Sequence, residues 1–335
     1  MNEVDAIEVG AGMGGLASAL SLASQGVRVR VYEALSRPGG KLGAQVVDGV
    51  EFDTGPSLLT MPYVLRSIFE QAGTRLEDAL DMIDPDPVFR YIYPDGVNLH
   101  IHREMADTRE SVRITLGKSA LKDFDRFLDY ARDIWEAARP NFVEGKAPNV
   151  SGMLKLGFTK LGAVRKIDPL RTMWQGIKRH VSDPYLQTLF ARYATYNGSN
   201  PYVAPATLNC IAWVEMGLGC HGVAGGMKSI PRALARVCER FGVEFAYNTP
   251  ISRVLVEGGR IVGVEEPDGH RATSKIVVVN ADVAHLTQHL LPEGVSHGLS
   301  EAEEPSMSGW NAMLRAKRAH MPDRVAHTVL FPNAY

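Results

Sequence analysis

VDAIEVGAGMGGLASALSLASQGVRVRVYE, residues 4–33, decides how the chain begins to fold. Val4 to Val9 read as a short buried strand, and Gly10-Ala11-Gly12-Met13-Gly14-Gly15 follow at once. Leu16, Ala17, Ala19, Leu20 and Ala23 then give a small-residue helix that ends near Gln25-Gly26, and Val27 to Glu33 form a second strand. The unit is β-α-β. Gly10 permits the tight turn out of the strand, Gly12 lets backbone approach a pyrophosphate, and Gly15 lets the helix pack close to the sheet. The N–H groups at the helix start face the anion, and Glu33, at the end of the second strand, is placed to accept hydrogen bonds from a ribose. Strand, loop, helix, strand and terminal acid in one register predict a dinucleotide site.

Glu8 departs from that pattern. A first strand covered on both faces carries apolar residues, and a buried carboxylate is costly. The expectation is that Glu8 reaches the sheet surface or marks a defective copy of the fold.

Outward from this unit come Arg37-Pro38-Gly39-Gly40-Lys41 and then Phe52-Asp53-Thr54-Gly55-Pro56. A second glycine pair allows another close backbone approach, and Arg37 offers a fixed cation, as a ligand larger than one nucleotide face requires. The succession GAGMGGL, YEA, RPGGK and FDTGPSLLTMP resembles the carotenoid desaturases, the phytoene desaturase family within the amine-oxidase-like FAD enzymes. Further on, RYATY (192–196), NPY (200–202) and APATL (204–208) resemble the branch that acts on 1-hydroxy or 1-methoxy carotenoids, the hydroxyneurosporene dehydrogenase type.

The resemblance implies a mixed α/β fold: a discontinuous, Rossmann-like FAD-binding domain at 1–75 and 225–285, with an inserted substrate-binding domain of strands and helices at 76–224 and 286–335. It implies FAD as cofactor, held by Gly10, Gly12, Met13, Gly14, Gly15, Glu33, Arg37, Gly39, Gly40, Lys41, Gly55, Pro56, Val254 and Asn280. Val254 falls where backbone meets the adenine, and Val243 to Ala246 join the nucleotide sheet. The implied reaction is desaturation of a carotenoid C–C bond, a 3,4-desaturation or a phytoene desaturation, with oxygen or a quinone reoxidising the flavin. Arg192 and Tyr196 are the catalytic nominations, set against packing or surface roles for both. A nicotinamide-dependent dehydrogenase and a non-catalytic protein on the same scaffold stand as alternatives.

Elsewhere the patterns are local. Phe89, Tyr91 and Tyr93 alternate before Pro94-Asp95-Gly96, and Val97, Leu99 and Ile101 alternate after it, which predicts a hairpin with His100 and His102 on its opposite face. Ser119 to Arg139 keep helical spacing, with Ser119 as cap and Pro140 as stop. Asp183-Pro184 starts another helix, and Ser229 to Phe241 form a third, which makes Cys238 a packed helix residue. Strands at Ile251 to Glu257, Arg260 to Glu266 and Lys275 to Val279 are separated by glycine turns and form a hairpin or three-stranded layer. His285 and His289 have metal-like spacing, but Leu286 replaces the glutamate of an H-E-x-x-H site, and no metal is expected.

Composition narrows the partners. Among 335 residues, 36 Lys and Arg balance 38 Asp and Glu, so no basic field exists for a nucleic-acid backbone. Cys210, Cys220 and Cys238 read as reduced thiols. No run approaches the length of a spanning helix. A carotenoid substrate implies a membrane surface, with Met153 to Phe158 and nearby Lys160 as an interfacial segment, so the expectation is a cytoplasmic protein held peripherally at the inner face of a membrane. The strand-like run Val325, His327, Val329 and Phe331 near the end, set against the family's greater length, gives the expectation that the C-terminal part of a desaturase is missing.

Overall fold

The computed structural model describes residues 4–144, 166–295, 297–299, 309–315, 317 and 325–333. The segment Met153 to Lys160 lies outside them. The chain divides into two compact units, Met1–Ile83 with Gly222–Pro305, and Asp84–His221 with Ser306–Tyr335.

The first unit is built on a four-stranded parallel sheet. Strand Ala6–Val9 (β1) leads through helix Met13–Ala23 (α1) to strand Val29–Glu33 (β2). The order across the sheet is Glu244–Tyr247, β2, β1, Ile276–Val279. Ala6 pairs with Val29 on one side and with Ile276 on the other. Side chains alternate across β1 and sort into two cores. Ala6 joins Val29, Val31, Leu16 and Leu20 with the helices Pro62–Gln71 and Ser229–Arg240 on one face. Ile7, Val9 and Tyr32 pack on the other face against Val264 and Ala272. Those last residues come from an antiparallel sheet, Arg253–Glu257, Arg260–Glu265 and Arg271–Thr273, which covers the parallel sheet as the helices do on its far side.

Because both faces are covered, Glu8 has nowhere exposed to go. It is fully buried, which corrects the expectation of a place at the sheet surface. The layer that the glycine turns predicted gains Arg271–Thr273 as its third strand, while Ile276–Val279 leaves it to pair with β1.

In the second unit the hairpin forms from Phe89–Ile92 and Asn98–Ile101, and His327–Leu330 adds to it in parallel beside Phe89–Ile92. Phe331 continues that strand and stacks on Tyr91 at 5.7 Å between ring centres. The long helix spans Lys118–Ala138 and buries Phe124, Phe127, Leu128, Ile134 and Trp135. Its cap is Gly117 rather than Ser119, and Pro140 does not stop it: the chain rewinds as a wider turn over Arg139–Val143, closed by Glu144 N–H donating to the Arg139 carbonyl at 2.9 Å. A proline in the opening turn of a rewound segment loses no N–H that the turn needs. Asp183 caps Pro184–Ala191 by accepting from Leu186 N–H at 3.0 Å, with Pro184 in the first helical position.

Candidate active site

Three loops meet at the C-terminal ends of β1 and β2. Gly10 adopts φ +102°, a conformation open to glycine, and turns the chain out of β1. The close packing of α1 depends on Gly15, where a Cβ would lie 2.1 Å from the Gly10 carbonyl oxygen. Gly39 N–H donates to the Ala11 carbonyl at 2.9 Å, which seats the second glycine loop against the first. A third wall follows strand Ile276–Val279. Asn280 N–H donates to the Val9 carbonyl, and the Asn280 amide lies where Cβ atoms at Gly12 and Gly14 would stand, 2.8 and 2.4 Å away.

The result is a cleft of about 770 Å³ lined by Gly10, Gly12, Met13, Glu33, Gly39, Gly40, Lys41, Leu42, Pro56, Asn280, Ala281, Asp282 and Val283. Nine of the residues nominated from sequence meet in it. Gly14, Gly15 and Gly55 stand behind the walls, Gly55 so tightly that a Cβ would fall 1.9 Å from the Lys41 carbonyl oxygen. Two nominations sit elsewhere. Arg37 pairs with Glu51 at 2.9 Å, and Val254 is buried in the antiparallel sheet opposite Val264; neither is among the described residues lining the cleft. Leu42, Ala281, Asp282 and Val283 complete the lining without having been nominated, since nothing but their position beside the glycine turn and the strand end marks them.

Glu33 is more occupied than a free ribose acceptor. Its carboxylate accepts from Ala11 N–H at 2.7 Å and from Leu35 N–H at 2.8 Å, so it fixes the loop as well as lining the cleft. Each oxygen keeps a second lone pair for a ligand. Asp53, noted in sequence only within the FDTGP run, accepts from Met227 N–H at 2.9 Å and Lys228 N–H at 3.1 Å. It thereby ties the third glycine turn, Gly225-Gly226, to the start of helix Ser229–Arg240.

Arg192 and Tyr196 belong to the second unit. Arg192 donates to Glu215 Oε1 at 2.6 Å and to the Tyr91 hydroxyl at 2.7 Å. Rings of Phe89, Tyr91, Tyr193 and Tyr196 surround its guanidinium at 4.6 to 5.8 Å. Tyr193 donates to Glu215 Oε1 at 2.6 Å, and Tyr196 donates to Oε2. Burial pushes the Tyr91 and Tyr193 hydroxyls well above the usual phenol range, and burial followed by the Glu215 charge raises Tyr196, so all three stay protonated. Burial works against the Arg192 charge, and the groups around it more than restore it. Tyr91 and Glu215 were not nominated: a contact 101 residues apart in sequence leaves no spacing to read.

Cys238 is fully buried, its thiol donates to the Leu16 carbonyl at 3.5 Å, and burial pushes it up to about 12. It is no nucleophile at neutral pH. Cys210 and Cys220 are free thiols as well. Among the described residues no cluster of three metal-ligating side chains occurs, and no helix is long and apolar enough to cross a membrane.

A parallel sheet with a glycine cleft at its C-terminal edge, built from chain segments that precede and follow the second unit in sequence, is a Rossmann-like fold. The family model described as flavin containing amine oxidoreductase matches residues 13–331, and the chain belongs to that family. It is 34% identical over 334 residues to a hydroxyneurosporene desaturase of Rubrivivax gelatinosus, covering 98% of this chain and 63% of that one. A zeta-carotene-forming phytoene desaturase of Myxococcus xanthus is 32% identical, with 98% and 63% covered. The fold is that of a putrescine oxidase, at a TM-score of 0.59, 18% identity, and coverage of 87% and 60%. The chain thus spans less than two thirds of the length of these relatives.

Proposed function

We propose that the chain binds FAD in the Gly10–Val283 cleft and serves the desaturation of a carotenoid C–C bond. The carrying observation is the cleft itself, whose three walls leave room for backbone-close contact only because glycine stands at Gly10, Gly12 and Gly40. The residues fit the group. N–H groups at the start of α1 suit a pyrophosphate, Glu33 keeps lone pairs for a ribose, and Lys41 lines the same cleft. When bound, the flavin ring supplies a hydride acceptor for a C–H bond while a proton leaves the neighbouring carbon.

The kinship supports 3,4-desaturation of a 1-hydroxy or 1-methoxy carotenoid as the reaction, with the Rubrivivax gelatinosus relative as its ground. The Myxococcus xanthus relative supports phytoene desaturation as the second reading. In this proposal the substrate is taken from a membrane surface, oxygen or a quinone reoxidises the flavin, and the second unit, with Arg192 and Tyr196, belongs to the substrate. The aromatic enclosure supports a positioning role for those two residues, since Arg192 Nη2 and the Tyr196 hydroxyl are engaged with Glu215.

Membranes carrying 1-hydroxyneurosporene or phytoene, supplied with the protein and FAD, separate the readings by the pigment that is red-shifted in chromatography. Conversion of the hydroxylated substrate supports the first reading, and conversion of phytoene alone supports the second. A flavin-free protein that binds NAD would replace both with a nicotinamide dehydrogenase.

A further inference from the structure

Glu8 lies in β1 two residues before Gly10 and is completely buried. Its in-register neighbours, Val31 and Val278, are apolar. Ser18 Oγ of α1 donates to Oε2 at 2.5 Å, and Oε1 has no hydrogen-bond partner among the described residues. A Cβ at Gly15 would stand 3.0 Å from Oε1 and 2.1 Å from the Gly10 carbonyl oxygen. The carboxyl therefore packs against the back of the loop whose front lines the cleft.

Among the described residues no cation pairs with it. α1 carries no titratable residue, and neither does strand Ile276–Val279. On β2, the charged side chain that shares its face is Glu33, an acid already bonded to Ala11 N–H. Arg30 alternates to the other face, where it pairs with Glu244. Burial pushes the Glu8 carboxyl up to about 8, with the Ser18 hydrogen bond pulling the other way.

We propose that Glu8 is a protonation-controlled positioning residue of the nucleotide loop, holding it for a phosphate-bearing ligand when neutral and weakening that hold when ionised. The inference rests on the reading of the cleft as a nucleotide site. A carboxylate behind the loop and a pyrophosphate in front of it are like charges addressed by the same backbone dipoles in a poorly screened interior. Binding and ionisation then oppose each other reciprocally: the ligand raises the proton affinity of Glu8, and loss of the proton lowers ligand affinity by the same factor.

The test is calorimetric titration of the full chain with ADP between pH 7 and 9, for the wild type, Glu8→Gln and Ser18→Ala. Wild-type affinity should fall by about three- to tenfold across this range, with proton uptake on binding near pH 8. Glu8→Gln should lack that fall, while any contribution from Lys41 persists in both. Ser18→Ala removes the donor that favours the ionised form and should move the fall to higher pH. Superimposable profiles for wild type and Glu8→Gln would overturn this inference and leave the nucleotide site standing. Absence of ADP binding at every pH would overturn the nucleotide reading and the inference with it.

Discussion

Glu8 and Glu215 are both glutamates with almost no exposure, at 0% and 3%, one in each unit, and their surroundings are opposite. Glu215 takes hydrogen bonds from Arg192, Tyr193 and Tyr196, so its desolvation is offset by a cation and two phenols. Glu8 has one serine hydroxyl and holds its proton to about pH 8. A buried carboxyl is thus accommodated either by surrounding it with donors or by leaving it uncharged. The two solutions respond differently to substitution and to pH.

The largest effect is expected where a charge would be stranded. Arg192→Ala leaves Glu215 buried without its cation and should destabilise the protein by about 3–5 kcal/mol in urea unfolding. A loss below about 1 kcal/mol would mean that the ion pair is not what holds this part of the second unit. Glu215→Gln keeps the shape but weakens three hydrogen bonds, with an expected loss of about 1–3 kcal/mol.

Glu8 should behave otherwise. Its folded pKa lies above that of the unfolded chain, so the folded state binds the extra proton between about pH 4.5 and 8. Its contribution to stability is full below that window and is lost as pH rises through it. Glu8→Gln should flatten this decline in thermal unfolding measured from pH 4.5 to 8.5, and equal slopes for variant and wild type would contradict a neutral Glu8. The smallest effect is expected for Tyr196→Phe, which removes one of three donors to Glu215 at a half-exposed ring and should cost about 1 kcal/mol or less.

The same contrast marks what can be read from the chain alone. The loop from Gly10 to Gly15 is legible because turn, close approach and helix start each demand a residue type at a fixed spacing, and all lie within one β-α-β unit. Gly39, Gly40 and Asn280 reach the same cleft through the backbone bonds of Gly39 to Ala11 and Asn280 to Val9. The glycine pair suggests a close approach by residue type and Asn280 enters through kinship, while nothing in their spacing fixes those pairings. The enclosure of Arg192 could not be foreseen, because Tyr91 and Glu215 arrive from separate elements. Glu8 was misplaced for a related reason. Local alternation shows that it faces one side of the sheet but not that α1 closes over that side. Arg37 reads as a fixed cation for the ligand, whereas strand Val50–Asp53 brings Glu51 beside it.

The central claim is that the cleft of the first unit holds FAD, and the most direct measurement is FAD titration of the purified protein, followed by flavin fluorescence and the visible spectrum. The account predicts stoichiometric binding with a perturbed flavin spectrum. It also predicts loss of that binding in Gly12→Val, where the new side chain must displace the Asn280 amide 2.8 Å away. A wild-type protein that leaves the FAD signal unchanged, or a Gly12→Val variant with undiminished FAD occupancy, would contradict it.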